Sequence, residues 1–226
     1  MLVHLASALT AAQLQAVRAH LGDAAWADGR RTAGYRAAAV KSNLQVPQSD
    51  PAAQAASGLI LKVLERNAAF ISATLPRHVY PPLFNRYTPG MAFGAHVDNA
   101  VRQVPGTAHR LRTDVAATVF LSAPQEYDGG ELVIDDLYGS HAVKLAAGDM
   151  IVYPASSLHR VQPVTHGARD AAFFWIQSMV RDDRARTLLY DMDTSIRDLT
   201  ARGADPGSLL RLTACYHNLL RRWADL

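Results

Sequence analysis

Between residues 78 and 181, short apolar segments alternate with turn residues, and this pattern constrains the fold more than any other feature of the chain. The segments are rich in Val, Ile and Phe, which favour β-strands, and glycine-containing turns separate them. They comprise residues 113–121, 130–134, 142–145, 150–153, 160–164 and 169–179. About six to eight short strands of this kind predict a double-stranded β-helix, or jelly roll, which closes its own sheet edges.

Helix signals lie on both sides of the strands. Thr10 opens a capping-box pattern for a first helix, and Asp50 followed by proline marks the start of a second, which ends before residue 76 in one or two pieces. The segment between them, which contains Gly34, is expected to begin the sheet. We therefore predict an α+β fold, in which residues 1–178 form a jelly-roll domain with N-terminal helices packed on it and residues 179–226 form a C-terminal helical extension.

The extension is predicted to contain two helices, over residues 181–202 and 206–224, whose apolar faces meet. The pair would pack on the barrel or on another subunit, so a homo-oligomer through these helices stays open. The one cysteine, Cys215, lies in the second helix, and we expect it to be buried as a small apolar residue.

Composition predicts a folded protein of a reducing compartment. Apolar residues make up 49% and charged residues 19%, which suits a packed core and argues against disorder. One cysteine cannot form an internal disulfide, which suits a reducing compartment. The N-terminus lacks the pattern of a secretory signal. No apolar run reaches the ~18 residues of a membrane span. The net charge is only +3 and the arginines are scattered, so we expect a cytoplasmic protein without a membrane or nucleic-acid partner.

Two histidines and an aspartate form the chemical centre of the sequence. His96 and Asp98 belong to Phe-Gly-Ala-His-Val-Asp-Asn, and His159 follows a strand and a loop far downstream. With 9 histidines and 20 acidic residues, a His-x-Asp pair arises about once by chance, so the surrounding turn and strand signals carry the prediction. Two histidines and one carboxylate hold non-haem Fe(II) on one face and leave the opposite face open. We therefore predict all three residues as metal ligands.

Arg169 begins the next predicted strand. Its guanidinium is planar and permanently charged, which suits the far carboxylate of a keto acid bound beside the iron. By the two-residue period of a strand, Phe173 and Trp175 share its face. These aromatic residues are expected to form the floor of a pocket and to belong to the core at the same time.

Three arginines follow the first two ligands in a predicted loop, residues 101–112. Arg102, Arg110 and Arg112 would either attract an acidic substrate or be solvated, and the sequence favours solvated side chains. Three further histidines lack a matching partner pattern and are not expected to be ligands: His109, His141 and His166.

The segment from Pro82 to Arg102, Pro-Leu-Phe-Asn-Arg-Tyr-Thr-Pro-Gly-Met-Ala-Phe-Gly-Ala-His-Val-Asp-Asn-Ala-Val-Arg, resembles the core of the bacterial PKHD-type hydroxylases. These are Fe(II)- and 2-oxoglutarate-dependent dioxygenases named for the prolyl/lysyl hydroxylase domain, and some are associated with iron uptake. The resemblance covers residues 41–178, from Lys-Ser-Asn-Leu-Gln through Tyr-Asp-Gly-Gly-Glu-Leu and His-Arg-Val-Gln-Pro-Val to Gly-Ala-Arg. A helical C-terminal extension is also a family feature.

The resemblance implies that His96, Asp98 and His159 bind Fe(II) and that Arg169 binds 2-oxoglutarate, which makes these four the implied catalytic residues. It implies a dioxygenase that uses O2 to hydroxylate a peptide or small molecule while 2-oxoglutarate is decarboxylated to succinate. Ascorbate is the implied reductant. The resemblance does not identify the substrate.

Two further cofactor-binding positions come from the same resemblance. Tyr87 matches a tyrosine that lies beside the co-substrate in related prolyl hydroxylases. Phe120 departs from the pattern, because those relatives have a second tyrosine there, and a hydroxyl partner of Arg169 is missing. Thr118, two residues earlier on the same strand face, is expected to substitute for it.

Two other functions use the same fold. A cupin-like metal or ligand sensor would bind without turnover, but it has no need for a carboxylate-binding arginine after the second histidine. A nucleic-acid demethylase would need basic residues gathered with aromatic residues for base stacking, and the scattered arginines argue against it. The dioxygenase is the leading hypothesis.

Overall fold

The computed structural model describes residues 1–32 and 35–226 and has the jelly-roll architecture expected from the strand pattern. The prediction for Gly34 lies outside the described residues. The strands are β1 (Val3–Leu5), β2 (Ala27–Asp28), β3 (Lys41–Ser42), β4 (Leu44–Gln45), β5 (Pro76–Val79), β6 (Leu83–Tyr87), β7 (Ala92–His96), β8 (Val101–Gln103), β9 (Arg110–Arg112), β10 (Val115–Phe120), β11 (Tyr127–Gly129), β12 (Leu132–Asp136), β13 (Gly139–Val143), β14 (Met150–Pro154), β15 (Leu158–Val161), β16 (Val164–Gly167) and β17 (Arg169–Ser178). The helices are α1 (Ala11–Gly22), α2 (Tyr35–Ala39), α3 (Pro51–Leu64), α4 (Ala68–Thr74), α5 (Asp183–Ala201) and α6 (Pro206–Trp223).

Two antiparallel sheets form the walls of the jelly roll. The eight-stranded sheet has the order β1-β14-β10-β17-β6-β4-β2, with β5 also paired to β17, and the five-stranded sheet has the order β13-β12-β15-β7-β3. The segment expected to begin the sheet does contain strands β2, β3 and β4, but the first strand is β1, which precedes α1 and pairs with β14. The predicted loop over residues 101–112 is instead the hairpin β8–β9, because its two arms pair across the turn that contains Gly106.

Strand β10 shows how the sequence builds two separate cores. Val115, Ala117 and Val119 belong to an outer core, which α1, α3 and α4 cover. Ala116 and Phe120 belong to an inner core between the sheets. Successive side chains of a strand point to opposite faces, so a strand that is apolar throughout is buried on both sides.

The N-terminal helices begin where their capping residues predict. The Thr10 side chain accepts a hydrogen bond from the Gln13 N–H, and the Gln13 side chain accepts one from the Thr10 N–H at 2.8 Å. Asp50 accepts a hydrogen bond from the Ala52 N–H at 2.8 Å and starts α3. Asn67 caps a separate helix, α4, so the second predicted helix is divided in two.

The C-terminal helices α5 and α6 pack against each other and against the end of α4. Leu189 is fully buried in a cluster with Leu75 and Val180, and Tyr216 of α6 packs against the same cluster. Cys215 is exposed, so the expectation that it is buried is wrong; its neighbour Tyr216 occupies the inward position of an amphipathic helix. Within the described ranges, no helix is long and apolar enough to cross a membrane.

Candidate active site

The three predicted metal ligands lie together on the five-stranded sheet. His96 ends β7, and His159 lies directly opposite on the antiparallel neighbour β15. Asp98 follows β7, and its Oδ2 is 4.0 Å from His159 Nε2. One ligand atom from each of the three side chains lies within 4.8 Å of the other two. Cross-strand pairing therefore brings together residues that are far apart in sequence.

Backbone carbonyls orient both imidazole rings. His96 Nδ1 donates a hydrogen bond to the Gly94 carbonyl at 2.8 Å, and His159 Nδ1 donates one to the Ser157 carbonyl at 3.0 Å. Since a carbonyl oxygen only accepts, Nδ1 carries a proton in each ring, and Nε2 is the nitrogen that remains to face a metal. Phe93 stacks on His96 with 3.6 Å between the ring centroids and fixes that ring further.

Burial sets the charge states of these groups. Desolvation and the neighbouring His159 lower the pKa of His96 to about 4, so the ring is neutral at pH 7 and able to coordinate a metal. Burial raises the pKa of Asp98, against the charge of His159 and a hydrogen bond from Trp175. Desolvation is the largest influence on this buried carboxylate, and a divalent cation would compensate its charge. The donor set of two nitrogens and one oxygen fits Fe(II).

Arg169 places a buried positive charge in the same interior as the three predicted metal ligands. It is 1% exposed at the start of β17, directly opposite Tyr87 of β6. Its guanidinium carbon lies 5.5 Å from the Tyr87 ring centroid and 5.3 Å from that of Phe120. Its Nε is buried without a hydrogen-bond partner, and it takes part in none of the ion pairs of the described residues. A buried guanidinium is costly without an anion, so the position fits the carboxylate of a keto acid.

Two buried tyrosine hydroxyls lie near this guanidinium. Burial raises the pKa of Tyr87 to about 12, and it also raises the pKa of Tyr127; the positive charge of Arg169 acts in the opposite direction on both. Asn43 approaches the Tyr87 hydroxyl and Arg169 approaches the Tyr127 hydroxyl closely enough to oppose this rise in pKa, but neither contact within the described part of the chain has full hydrogen-bond geometry. Both therefore stay protonated and can donate a hydrogen bond to an anion held by Arg169.

Tyr127 is a candidate that the sequence interpretation missed. Tyr127 is the first residue of the motif Tyr-Asp-Gly-Gly-Glu-Leu. This motif was the available sequence signal, but it did not indicate a contact with Arg169. In the same motif, Gly130 has a φ of +68°, and a Cβ there would lie 3.1 Å from Arg169 Cδ and 3.2 Å from Tyr127 Cδ2. The glycine lets both side chains approach, so a neighbouring strand offers the hydroxyl that is absent at Phe120.

One cavity between the two sheets joins these groups, with about 800 Å³ of empty space including its open mouth. Phe173 and Trp175 line it together with Arg169, which confirms the prediction from the strand period. Thr118 also lines it, is 6% exposed, and lies beside the buried Tyr153.

The sequence did not predict the polar wall of this cavity. The wall consists of Lys41, Asn43, Gln45 and Asn85. Lys41, Asn43 and Gln45 alternate along β3 and β4, so the period of two in Lys-Ser-Asn-Leu-Gln was the available signal. The side-chain amide atoms of Asn43 are buried and have no hydrogen-bond partner among the described residues, which leaves them available to a ligand.

The arginines of the β8–β9 hairpin have three different environments. Arg112 forms hydrogen bonds of 2.7 and 3.0 Å with Asp114, and the exposed Arg110 donates one to Gln103. Arg102 instead lines the cavity, so the preference for a solvated side chain is wrong at this position. An aromatic surface of the cavity holds Arg102 there, and the sequence did not predict this contact.

The other histidines lie outside the cluster of ligands, as expected. His141 is hydrogen-bonded to Asp136, His109 contacts the ring of His78, and His166 is largely exposed. Within the described residues, the histidine, cysteine and acidic side chains that are grouped closely enough to hold a metal are His96, Asp98 and His159.

Two family models match the chain. Residues 82–177 match the 2OG-Fe(II) oxygenase superfamily, and residues 183–225 match the PKHD-type hydroxylase C-terminal domain. The first match contains the strands that hold the ligands and Arg169, and the second covers α5 and α6.

Full-length relatives and a solved structure agree with these matches. The chain is 59% identical to a PKHD-type hydroxylase of Burkholderia ambifaria and 55% identical to one of Bordetella pertussis, and each alignment covers 100% of both chains. The crystal structure of a Pseudomonas putida prolyl-4-hydroxylase has the same fold, with a TM-score of 0.54 and 19% identity over 78% of this chain and 92% of that one. These matches favour the enzyme over the sensor. The chain belongs to the PKHD-type hydroxylases, and it is a 2-oxoglutarate-dependent iron dioxygenase.

Proposed function

We propose that this dioxygenase binds Fe(II) through His96, Asp98 and His159 and hydroxylates a peptide or small molecule in the adjacent cavity. One observation carries the assignment: the three donor groups converge in a cavity that also contains the buried Arg169, whose Nε has no partner among the described residues. A cation site and a carboxylate site in one cavity are what a metal-chelating keto acid requires.

In this proposal, Arg169 binds the far carboxylate of 2-oxoglutarate, and Tyr127 donates a hydrogen bond to the same carboxylate. Tyr87 supports the guanidinium from the opposite strand, and Thr118 offers a further hydroxyl to the co-substrate. Fe(II), 2-oxoglutarate and O2 together supply the hydroxylation and the decarboxylation to succinate. The residues of the chain bind, orient and balance charge, and none is required as a general acid or base.

Hydrogen bonds and packing hold the predicted metal ligands in a fixed orientation. The Gly94 and Ser157 carbonyls direct Nε2 of both histidines toward a shared point. Phe173 and Trp175 limit the water around that point, which strengthens every electrostatic interaction there. Preorganised ligands avoid the entropy cost of ordering them when the metal binds.

The proposal extends to the surroundings of the reaction. Ascorbate serves as the reductant that returns oxidised iron to Fe(II), and a reducing cytoplasm suits this chemistry. Residues 1–178 form the catalytic unit, since the described lining of the cavity contains nothing from residues 179–226. The helical extension leaves Leu210 and Leu212 exposed, which supports self-association through α6.

An anaerobic titration tests the site assignments. The metal-free protein receives Fe(II) and then 2-oxoglutarate, and the visible charge-transfer band of the chelated keto acid is recorded. We expect the wild type to develop the band and His159→Ala to lose it. Arg169→Ala should bind Fe(II) normally but need about 10- to 100-fold more 2-oxoglutarate, the cost of losing charge-assisted hydrogen bonds.

Arg110→Ala is the matched control, because it removes an exposed arginine outside the cavity. It should leave both affinities unchanged. Unchanged 2-oxoglutarate affinity in Arg169→Ala would remove that residue from its role, and an unaltered band in His159→Ala would remove the histidine from the ligand set.

A further inference from the structure

We propose that Arg102 binds an oxyanion group of the primary substrate, so that the molecule hydroxylated by this enzyme is acidic near its reacting carbon. The inference rests on the proposed function, since it places the substrate in the same cavity as the metal.

Arg102 contacts two aromatic side chains at the cavity. Its guanidinium carbon is 3.9 Å from the ring centroid of Trp175 and 5.2 Å from that of Tyr80. Trp175 is itself fixed, because it is 5% exposed and hydrogen-bonds Asp98. A cation–π contact does not use the N–H groups of a guanidinium as hydrogen-bond donors to an oxyanion, so these groups can still bind a carboxylate or phosphate.

Arg102 differs from Arg112 in forming no ion pair with a described residue; the acidic group on which its charge acts is Asp98, one of the three predicted metal ligands. Arg112 is paired with Asp114, whereas none of the ion pairs among the described residues includes Arg102. The side chain is partly buried, so solvent screens its charge only in part. A desolvated cation of this kind in a ligand cavity favours an anion.

The charges of the whole cavity also favour an anionic substrate. Its described lining carries three cationic side chains and one carboxylate: Lys41, Arg102, Arg169 and Asp98. Fe(II) and the 2-oxoglutarate dianion cancel each other, so the loaded cavity keeps an excess of positive charge. Burial and the charge of Arg102 lower the pKa of Lys41 to about 8, which shows that the two cations repel each other. Asp28 also acts on Lys41, but it lies outside the described lining and is hydrogen-bonded to Arg30.

Arg102 and Arg169 lie against different parts of the cavity. Arg102 stacks on Trp175, six residues after Arg169 along β17, whereas Arg169 lies between the rings of Tyr87 and Phe120. Asp98 lies beside Trp175, which donates a hydrogen bond to it. A keto acid that joins Arg169 to the metal therefore leaves the N–H groups of Arg102 open to a second molecule.

Binding of paired probes to the anaerobic Fe(II)–2-oxoglutarate complex tests the inference by calorimetry. The probes are N-acetylaspartate methylamide, its neutral asparagine analogue and N-acetylphosphoserine methylamide. We expect an acidic probe to bind the wild type at least about tenfold more tightly than the neutral one. This preference should disappear in Arg102→Gln, fall in Arg102→Lys, which loses the planar fork, and persist in Arg110→Gln.

The two acidic probes distinguish the sources of the anion. Preference for the aspartate probe assigns a carboxylate substrate, and preference for the phosphoserine probe assigns a phosphorylated one. Equal preference in Arg102→Gln and wild type, or no binding of either acidic probe to the wild type, would overturn the inference. The charge-transfer band of each sample separates this failure from failure of the proposed function, because only the latter removes the band from the wild type.

Discussion

At the scale of single residues, the environment of Arg169 explains why the departure at Phe120 does not exclude the proposed co-substrate site. Its guanidinium lies between the rings of Tyr87 and Phe120, and Phe120 offers no hydroxyl. Tyr127 reaches the same region from β11, because Gly130 leaves room beside it. The substitution at one position is thus compatible with the same co-substrate chemistry.

Replacing Tyr127 with Phe should weaken 2-oxoglutarate binding by about 3- to 10-fold without affecting Fe(II). The change removes a single hydrogen bond to a charged group and keeps the ring. The charge-transfer titration measures both affinities. Tyr138→Phe, at a side chain that is 95% exposed, is the matched control. If Tyr127→Phe binds 2-oxoglutarate as the wild type does, Thr118 becomes the better candidate for the missing hydroxyl.

At the scale of elements, the strands that hold the ligands could be predicted, and the short strands of the polar wall could not. Arg169, Phe173 and Trp175 lie on one long strand, so a local period of two was sufficient to place them together. Lys41 and Asn43 lie on or beside β3 and β4, which pair with different sheets. Their position depends on these non-local pairings, which a sequence pattern does not encode. The place of Arg102 against Trp175 depends on the same kind of long-range packing.

Helix α3 should lose stability when its cap is removed, because Asp50 satisfies N–H groups that the helix leaves unpaired. Asp50 accepts hydrogen bonds from the Ala52 N–H at 2.8 Å and from the Ala25 N–H at 3.3 Å. We expect Asp50→Ala to lower the free energy of unfolding by about 1 kcal/mol, measured by urea denaturation. Asp50→Asn keeps a capping oxygen and should lose less than half as much. Equal losses in the two variants would mean that the charge, and not the cap, stabilises the helix.

At the scale of the whole molecule, non-covalent contacts as well as the backbone connection hold the C-terminal helices against the barrel. The buried cluster of Leu189 includes Leu75, which ends α4. Ser72 of α4 donates a hydrogen bond of 2.6 Å to Asp193 of α5, and the N-terminal ammonium lies 2.8 Å from Asp183. The sequence predicted both helices, but their contact with α4 and the N-terminus required the tertiary structure. The extension contributes nothing to the described lining of the cavity. It nevertheless shares a buried cluster with Leu75 of the jelly-roll domain, and other residues of that domain line the cavity.

These contacts predict that the barrel and the extension unfold together. Leu189→Ala should lower the free energy of unfolding by about 2–5 kcal/mol, since it leaves a cavity in a fully buried cluster. Hydrogen exchange should accelerate equally in Asp183–Ala201 and in Arg169–Ser178, because a shared core opens in one step. Leu137→Ala, at a side chain that is 95% exposed and outside the helical extension, is the matched control and should change stability by less than about 0.5 kcal/mol. Faster exchange in the helix with unchanged exchange in the strand would show that the extension is an independent unit, and the helices would then be free to act in self-association without disturbing the catalytic cavity.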